Sequence, residues 1–176
     1  MKLKMKKEKK MILKKVRLSF PHLFTPAAFQ GEGEKKYAAT LLIEKGSENH
    51  KMIKAAVDDM LKDEFKGKLS ADKICLKDGD DREYAGYADH VFVKANSKRR
   101  VPVVNRDKSP IVEEDDVVYG GCYVNAIVDL WAQDSQFGKR INAALRGIQF
   151  DSDGERFVGA AVTDGDFLDY EEEIEF

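Results

Sequence analysis

The sequence predicts a mainly β domain, a small barrel or sandwich capped by one helix. Three observations lead there. Apolar and polar residues alternate in several short stretches, the pattern of half-buried strands. Only one segment, residues 47–66, carries long helical spacing instead. Gly, Pro and Asp–Gly turn signals separate the stretches. At 176 residues and 43% apolar composition the chain can bury one core, and 35% charged residues favour solubility.

The elements follow in order. Residues 11–20 alternate, with Ile12, Val16, Leu18 and Phe20 on one face and Lys15, Arg17 and Ser19 on the other. A loop containing Pro21, Pro26, Gly31 and Gly33 leads to a strand over 36–44, where Tyr37, Ala39, Leu41 and Ile43 share a face. Ser47 is placed to cap a helix that Gly67 ends, with Ile53, Val57, Met60 and Leu61 at helical spacing. Residues 75–89 are rich in turn formers. Strands are predicted at 90–96, 101–104, 117–131 and 141–150, with one more at 157–162. Gly120 and Gly121 mark a bend in the long strand.

Charge is distributed unevenly. The net charge of −2 conceals a basic start, with nine Lys or Arg and one Glu in the first seventeen residues. The last thirteen, DGDFLDYEEEIEF, hold seven carboxylates and no Lys or Arg. Such a tail cannot bury enough apolar surface to fold alone. The expected organisation is a basic disordered arm over 1–10, a folded domain over 11–163 and an acidic disordered tail over 164–176. The tail is a tethered polyanion, able to compete for any groove that binds anions. Cys75 and Cys122 are far apart and in no paired motif, which suits free thiols in a reducing cytosol. No stretch has the length of a membrane helix or a secretory leader.

Enzyme signatures are absent. No P-loop, dinucleotide fingerprint or nucleophile elbow occurs. His22, His50 and His90 have no partner at metal-ligand spacing. Asp78, Asp80 and Asp81 with Glu83 form the best cluster for Mg²⁺, but Asp-Gly-Asp-Asp is also ordinary turn chemistry. The run Glu113–Asp116 reads as a solvated loop. No cofactor is expected.

Sequence-independent binding of single strands needs cations that follow phosphates and aromatic faces on which bases stack. Both are present. The phosphate candidates are Lys15, Arg17, Lys94, Lys98, Arg99, Arg100, Arg106, Lys108, Lys139 and Arg140. The stacking candidates are Tyr37, Phe92, Tyr123, Trp131 and Phe137. Phe137 sits in a predicted turn, where a ring gains little unless it packs on something. Phe20, Phe24 and Phe150 read as structural.

With these features in place, the chain resembles phage-encoded single-stranded DNA-binding proteins with an OB-fold. The order of strands, helix and late hairpin over 11–163 carries the resemblance, as does EEEIEF with Phe176 last. The stretches Phe20-Pro21-His22-Leu23-Phe24 and Ala144 to Gln149 are similar to a phage family once known only as a domain of unknown function. The resemblance implies a five-stranded antiparallel barrel with one capping helix, no enzymatic activity, and a role in DNA replication and recombination in the host bacterial cytoplasm. It also implies that Asp169, Glu171, Glu172, Glu173, Glu175 and Phe176 recruit replication proteins such as a polymerase, helicase or primase, and that homodimers form by tail exchange. One departure is visible: here the helix follows the second strand, whereas the common OB-fold places it between the third and fourth. Two other readings stand beside this one, a metal-dependent phage nuclease using the Asp78–Asp81 cluster and a β-rich virion or assembly protein.

Overall fold

The structure is a computed structural model that describes residues 8–28, 33–157 and 168. Its strands are β1 (Glu8–Ala27), β2 (Lys36–Glu44), β3 (Leu76–Asp78), β4 (His90–Ser97), β5 (Val103–Val104), β6 (Tyr123–Ser135) and β7 (Gly138–Ser152), with helix α1 (Glu48–Phe65) between β2 and β3. The expected strand at 157–162 and the acidic tail lie outside the described residues, apart from Phe157 and Leu168. So does the basic arm up to residue 7. Glu8 to Lys10, expected in that arm, pair with β6 opposite Trp131, Leu130 and Asp129.

Five strands close a barrel: β1 pairs with β2, β2 with β4, β4 with β7, β7 with β6, and β6 with β1. Four of these pairings are antiparallel. The closing one, Ala95 with Ala143 and Asn96 with Ala144, is parallel, which corrects the all-antiparallel expectation. β3 and β7 share one edge of β4, β3 pairing at Val91–Val93 and β7 at Ala95 and Asn96. The core is lined by Leu13, Leu18, Leu41, Ile43, Val93, Val124, Val128, Leu130 and Leu145, all fully buried.

The register of β1 slips three times, between Leu13 and Val16, between Ser19 and His22, and between His22 and Ala27. Lys15 and Phe20 there adopt left-handed backbone, at φ 51° and 45°. Each slip resets the period of two, so Met11 and Leu13 face the core before the first bulge and Val16 and Leu18 after it. Ile12 and Phe20, expected inside, are exposed as a result. The amides freed by the first bulge find side chains. Lys14 N–H donates to Asn49 Oδ1 (3.0 Å) and Lys15 N–H to Asn125 Oδ1 (2.9 Å). Asn49 Nδ2 returns a bond to the Lys14 carbonyl (2.7 Å), tying the start of α1 to β1.

The helix forms where its spacing places it. Ser47 Oγ accepts from His50 N–H (3.2 Å) as the N-cap. Ile53, Ala56, Val57, Met60 and Phe65 are buried. Lys66 turns left-handed, and Gly67 N–H reaches back to the Leu61 carbonyl (3.0 Å). α1 precedes the third barrel strand, as its place in the sequence indicated.

The long strand expected from 117 begins only at Tyr123. Residues 113–115 form a 3₁₀ turn, and Cys122 N–H bonds to the Tyr119 carbonyl (3.2 Å). Gly121 has φ 114°, and a Cβ there would collide with the Glu155 carbonyl and the backbone of Arg156. The two glycines thus end a turn rather than bend a strand.

Candidate nucleic-acid interface

The outer face of β2 and β4 carries the cross-strand pairs Ala38–Asn96, Thr40–Lys94 and Leu42–Phe92. It is only partly open. The segment 79–89 folds over its Leu42–Phe92 end and inserts Tyr87, making a second small core of Leu42, Tyr87 and Phe92, with Phe157 packed beside it. Phe92 is 1% exposed and offers no ring face to a base. The stacking candidate on β4 is therefore structural, and its position on the outer face led to the misreading. The Tyr87 hydroxyl is hydrogen-bonded to Ser19 Oγ (2.9 Å), which fixes the covering loop to β1.

The same loop builds an aromatic series. Tyr87 meets Phe92 edge-on at 5.3 Å between centroids, Tyr84 lies 5.3 Å from Tyr87, and Phe20 meets Tyr84 edge-on at 5.1 Å. The inner pair is buried, while Phe20 is 51% and Tyr84 56% exposed. Sequence reasoning assigned Phe20 to structure and passed over Tyr84. The bulge that turns Phe20 outward has no apolar signature, and Tyr84 lies among turn formers.

Cations converge beside this series. The Arg82 guanidinium lies 5.6 Å from the Phe92 ring centre. Lys77, on β3 in register with Phe92, donates to the Asp72 carbonyl (3.2 Å). Partial burial, then the charges of Lys94, Arg82 and Arg140, outweigh the carboxylate of Asp72 and hold its ammonium below the usual lysine range. Lys94 comes from the barrel wall and Arg140 from the β6–β7 hairpin, so two of the sequence candidates stand near two cations that were not among them. The hairpin tip carries Phe137, 82% exposed, followed by exposed Lys139 and Arg140.

The remaining candidates fall elsewhere. Arg17 donates from Nε to the Gly121 carbonyl (3.0 Å) and from a terminal nitrogen to that of Glu155 (2.6 Å), and so is occupied in holding the chain. Arg100 donates to the Phe24 carbonyl (2.9 Å), Lys98 pairs with Glu34 (3.8 Å), and the Arg99 amide bonds Ser97 Oγ (3.1 Å). Arg106 and Lys108 stand in the loop beside Gln149 of β7, nine residues and roughly 30 Å of strand from Arg140. Lys15 lies 6.0 Å from the half-buried Tyr123 ring. Tyr37 shares the core-facing parity of Ala39 and Leu41 and is half-buried. Trp131 is half-buried, opposite Asn142. The six tail residues lie outside the described residues.

The acidic cluster has a different task. Lys45 Nζ lies 2.8 Å from Asp78 Oδ1 and 2.5 Å from Asp80 Oδ2. Asp78 also accepts from the Asp80 amide (2.9 Å) and Asp80 from the Asp89 amide (2.7 Å). Both carboxyls are held below their usual range, chiefly by the Lys45 hydrogen bond. A lysine stands where the nuclease reading needs a metal, and no group of three metal-ligating side chains occurs among the described residues. A cleft of about 320 Å³ beside Pro21–Thr25 is walled by Glu113, Asp116 and Arg156, the last two paired at 2.8 Å.

Known proteins share both the sequence and this architecture. A family described as Enterobacter phage Enc34, ssDNA-binding protein, matches residues 9–176. The putative protein p50 of Acyrthosiphon pisum secondary endosymbiont phage 1 is 38% identical over 180 residues, covering 94% of this chain and 97% of the relative. The single-stranded DNA-binding protein of bacteriophage Enc34, solved in complex with ssDNA, superposes with a TM-score of 0.73 at 29% identity, over 85% of this chain and 89% of that one. The single-stranded DNA-binding protein gp2.5 of bacteriophage T7 shares the fold, at TM-score 0.53 and 11% identity over 97% and 96% of the two chains.

Proposed function

This chain belongs to the Enc34 family of phage single-stranded DNA-binding proteins, and from that membership we propose that it coats single-stranded DNA without reading sequence. It is a binding protein rather than an enzyme. The observation that carries the reading is the gathering of cations around Phe92: Lys77 faces it across β3 and β4, Arg82 lies 5.6 Å from its ring centre, Lys94 is two residues along the same strand face, and Arg140 adjoins Ile141, which bridges to Ile74 just ahead of β3. Like charges gathered in this way repel one another, and a polyanion lying across them relieves the repulsion. Each phosphate neutralised also releases counterions. Lys139 extends the strip along the hairpin, and Phe137 at its tip is placed to stack on a base.

The biological setting follows from the chemistry. A protein that covers transient single strands serves phage DNA replication and recombination, in the cytoplasm of the infected bacterium. The acidic tail competes for the same strip, and its carboxylates and Phe176 recruit replication proteins. The small core beneath the strip supports this reading, because Phe157, packed on it, is only seven residues from Asp164.

Fluorescence anisotropy of a labelled oligo-dT against a matched duplex, at low and high salt, tests the proposal. The expected result is tight, salt-sensitive binding to dT and weak binding to duplex. No dT binding at low salt would overturn it. Deleting residues 164–176 is expected to tighten dT binding; an unchanged affinity at low salt removes the competing role of the tail.

A further inference from the structure

We propose that Phe20 and Tyr84 form the step on which an unpaired nucleobase stacks, at one end of the cationic strip. The inference rests on the single-strand reading and adds the position at which the groove holds a base. Four observations support it. The two rings touch edge-to-face at 5.1 Å and each residue remains about half exposed, so neither ring seals the other from solvent. They do not hang free, because Tyr84 leans on Tyr87, which is buried against Phe92 and hydrogen-bonded to Ser19.

Phe20 is also held at φ 45°, a conformation that residues with a Cβ rarely adopt. A bulge can place any residue there, and a polar one would cost less in water. A phenylalanine turned outward at a strained position indicates a ligand for its ring. Lastly, the series is continuous with the cations. Arg82 stands over Phe92, the inner ring, and Lys77 lies in register with it. A strand whose base rests on Phe20 and Tyr84 can therefore run its phosphates across Arg82, Lys77 and Lys94. The ligand class is any single-stranded segment, since every base presents a π-face.

The test uses the full chain and two oligonucleotides of equal length, oligo-dT and an abasic deoxyribose-phosphate strand. Phe20→Ala and Tyr84→Ala are each expected to weaken dT binding roughly 5- to 150-fold. They leave abasic binding and the salt slope unchanged, and Tyr84→Phe retains dT affinity. Photocross-linking of 5-iododeoxyuridine DNA is expected to label Phe20 or Tyr84. The assignment is overturned by dT affinity within twofold of the parent, by equal losses on the abasic strand, or by a cross-link confined to other aromatics. An equal loss with Tyr84→Phe also counts against it, because the hydroxyl and not the ring would then matter. A fall in the urea midpoint is measured alongside, so that an unfolded variant is not mistaken for a lost contact. If the parent protein binds neither strand, the single-strand reading itself fails, which is distinct from a parent that binds dT and variants that match it.

Discussion

The guanidinium of Arg17 lies over the ring of Phe157 at 4.1 Å, and its nitrogens donate to the carbonyls on either side of the ring's path, Gly121 and Glu155. One side chain of the first strand thereby fastens the segment Glu155–Phe157 to the barrel. Phe157 packs in turn on Leu42, Tyr87 and Phe92, and against Gly86, where a Cβ would meet its ring at 2.5 Å. Gly86 has φ 86° as well, so the position excludes a side chain on two grounds.

Arg17→Ala is expected to lower stability by about 1–3 kcal/mol, since two carbonyls lose a charged donor and the ring loses its cation. The urea midpoint reads this. Arg17→Lys should recover little, because one ammonium cannot span both carbonyls as the planar fork does. The salt slope of dT binding should not change, although the sequence marks Arg17 as a phosphate contact. The gain in affinity on deleting residues 164–176 should shrink in Arg17→Ala, because the tail would then start from a looser root.

Lys77→Ala with Lys94→Ala should lower the slope of log affinity against log salt by about 1.4, at about 0.7 for each single-strand phosphate contact. Arg106→Ala with Lys108→Ala serves as the comparison and should change it less, given the distance along β7. Anisotropy titrations at four salt concentrations are sufficient. Equal slopes for the two pairs would mean that the strip beside Phe92 is not where phosphates lie.

Much of the fold could be read from the chain because its signals are local. The period of two in 36–44, Ser47 with Gly67, and the alternation over 141–150 each matched an element. What failed was governed by distant partners. The phase of β1 depends on bulges whose amides are satisfied by Asn49 and Asn125, 35 and 110 residues away. Segment 79–89 has turn composition, and nothing local reveals that Tyr87 closes a second core with Leu42 and Phe92. For the same reason the burial of Phe92 could not be read from the chain, nor the position of Lys77 and Arg82 beside it. Lys94 and Arg140 could be named as candidates from the chain alone because a basic residue on an outer strand face or in a hairpin needs no tertiary partner to be recognised.

The depressed ammonium of Lys77 gives a pH dependence with a definite sign. In the free protein it carries fewer protons at alkaline pH than an ordinary lysine, because burial and the charges of Lys94, Arg82 and Arg140 disfavour the charged form more than Asp72 favours it. Its protonated state therefore costs folding stability below the folded pKa, and that cost lifts as pH rises through it. A bound phosphate favours the charged form, so DNA binding takes up a proton there. Affinity for oligo-dA, whose bases do not ionise in this range, should fall as pH is raised from about 7 towards the ordinary lysine value of 10.5. Lys77→Arg should flatten the early part of that fall at constant ionic strength. An identical profile for the variant would show that Lys77 takes no phosphate.

A second buried charge sits away from the strip, and it should affect stability alone. Asp129 of β6 is 7% exposed, and its Oδ1 has no hydrogen-bond partner. Oδ2 reaches only the half-exposed Arg146, at 3.4 Å. Arg146 lies in the second slip of the β6–β7 pairing, between Ile127–Gly147 and Val128–Leu145, so the bulge brings the guanidinium over the carboxylate. Removing the cation leaves a nearly buried carboxylate without a counter-charge. Arg146→Met should therefore cost about 1–3 kcal/mol, at the lower part of the range for buried pairs because the arginine is partly solvated. Asp129→Asn combined with Arg146→Met should recover most of it, since a neutral amide needs no counter-ion and can share its bonds with water. Urea denaturation of the two single variants and the double gives the coupling directly. If Arg146→Met is neutral and Lys10→Met is not, Lys10, which faces Asp129 across β1 and β6, supplies the charge. In either case dT affinity should be unaltered, because this pair lies on the β1–β6–β7 wall of the barrel and the cations of the strip lie on β3, β4 and the hairpin.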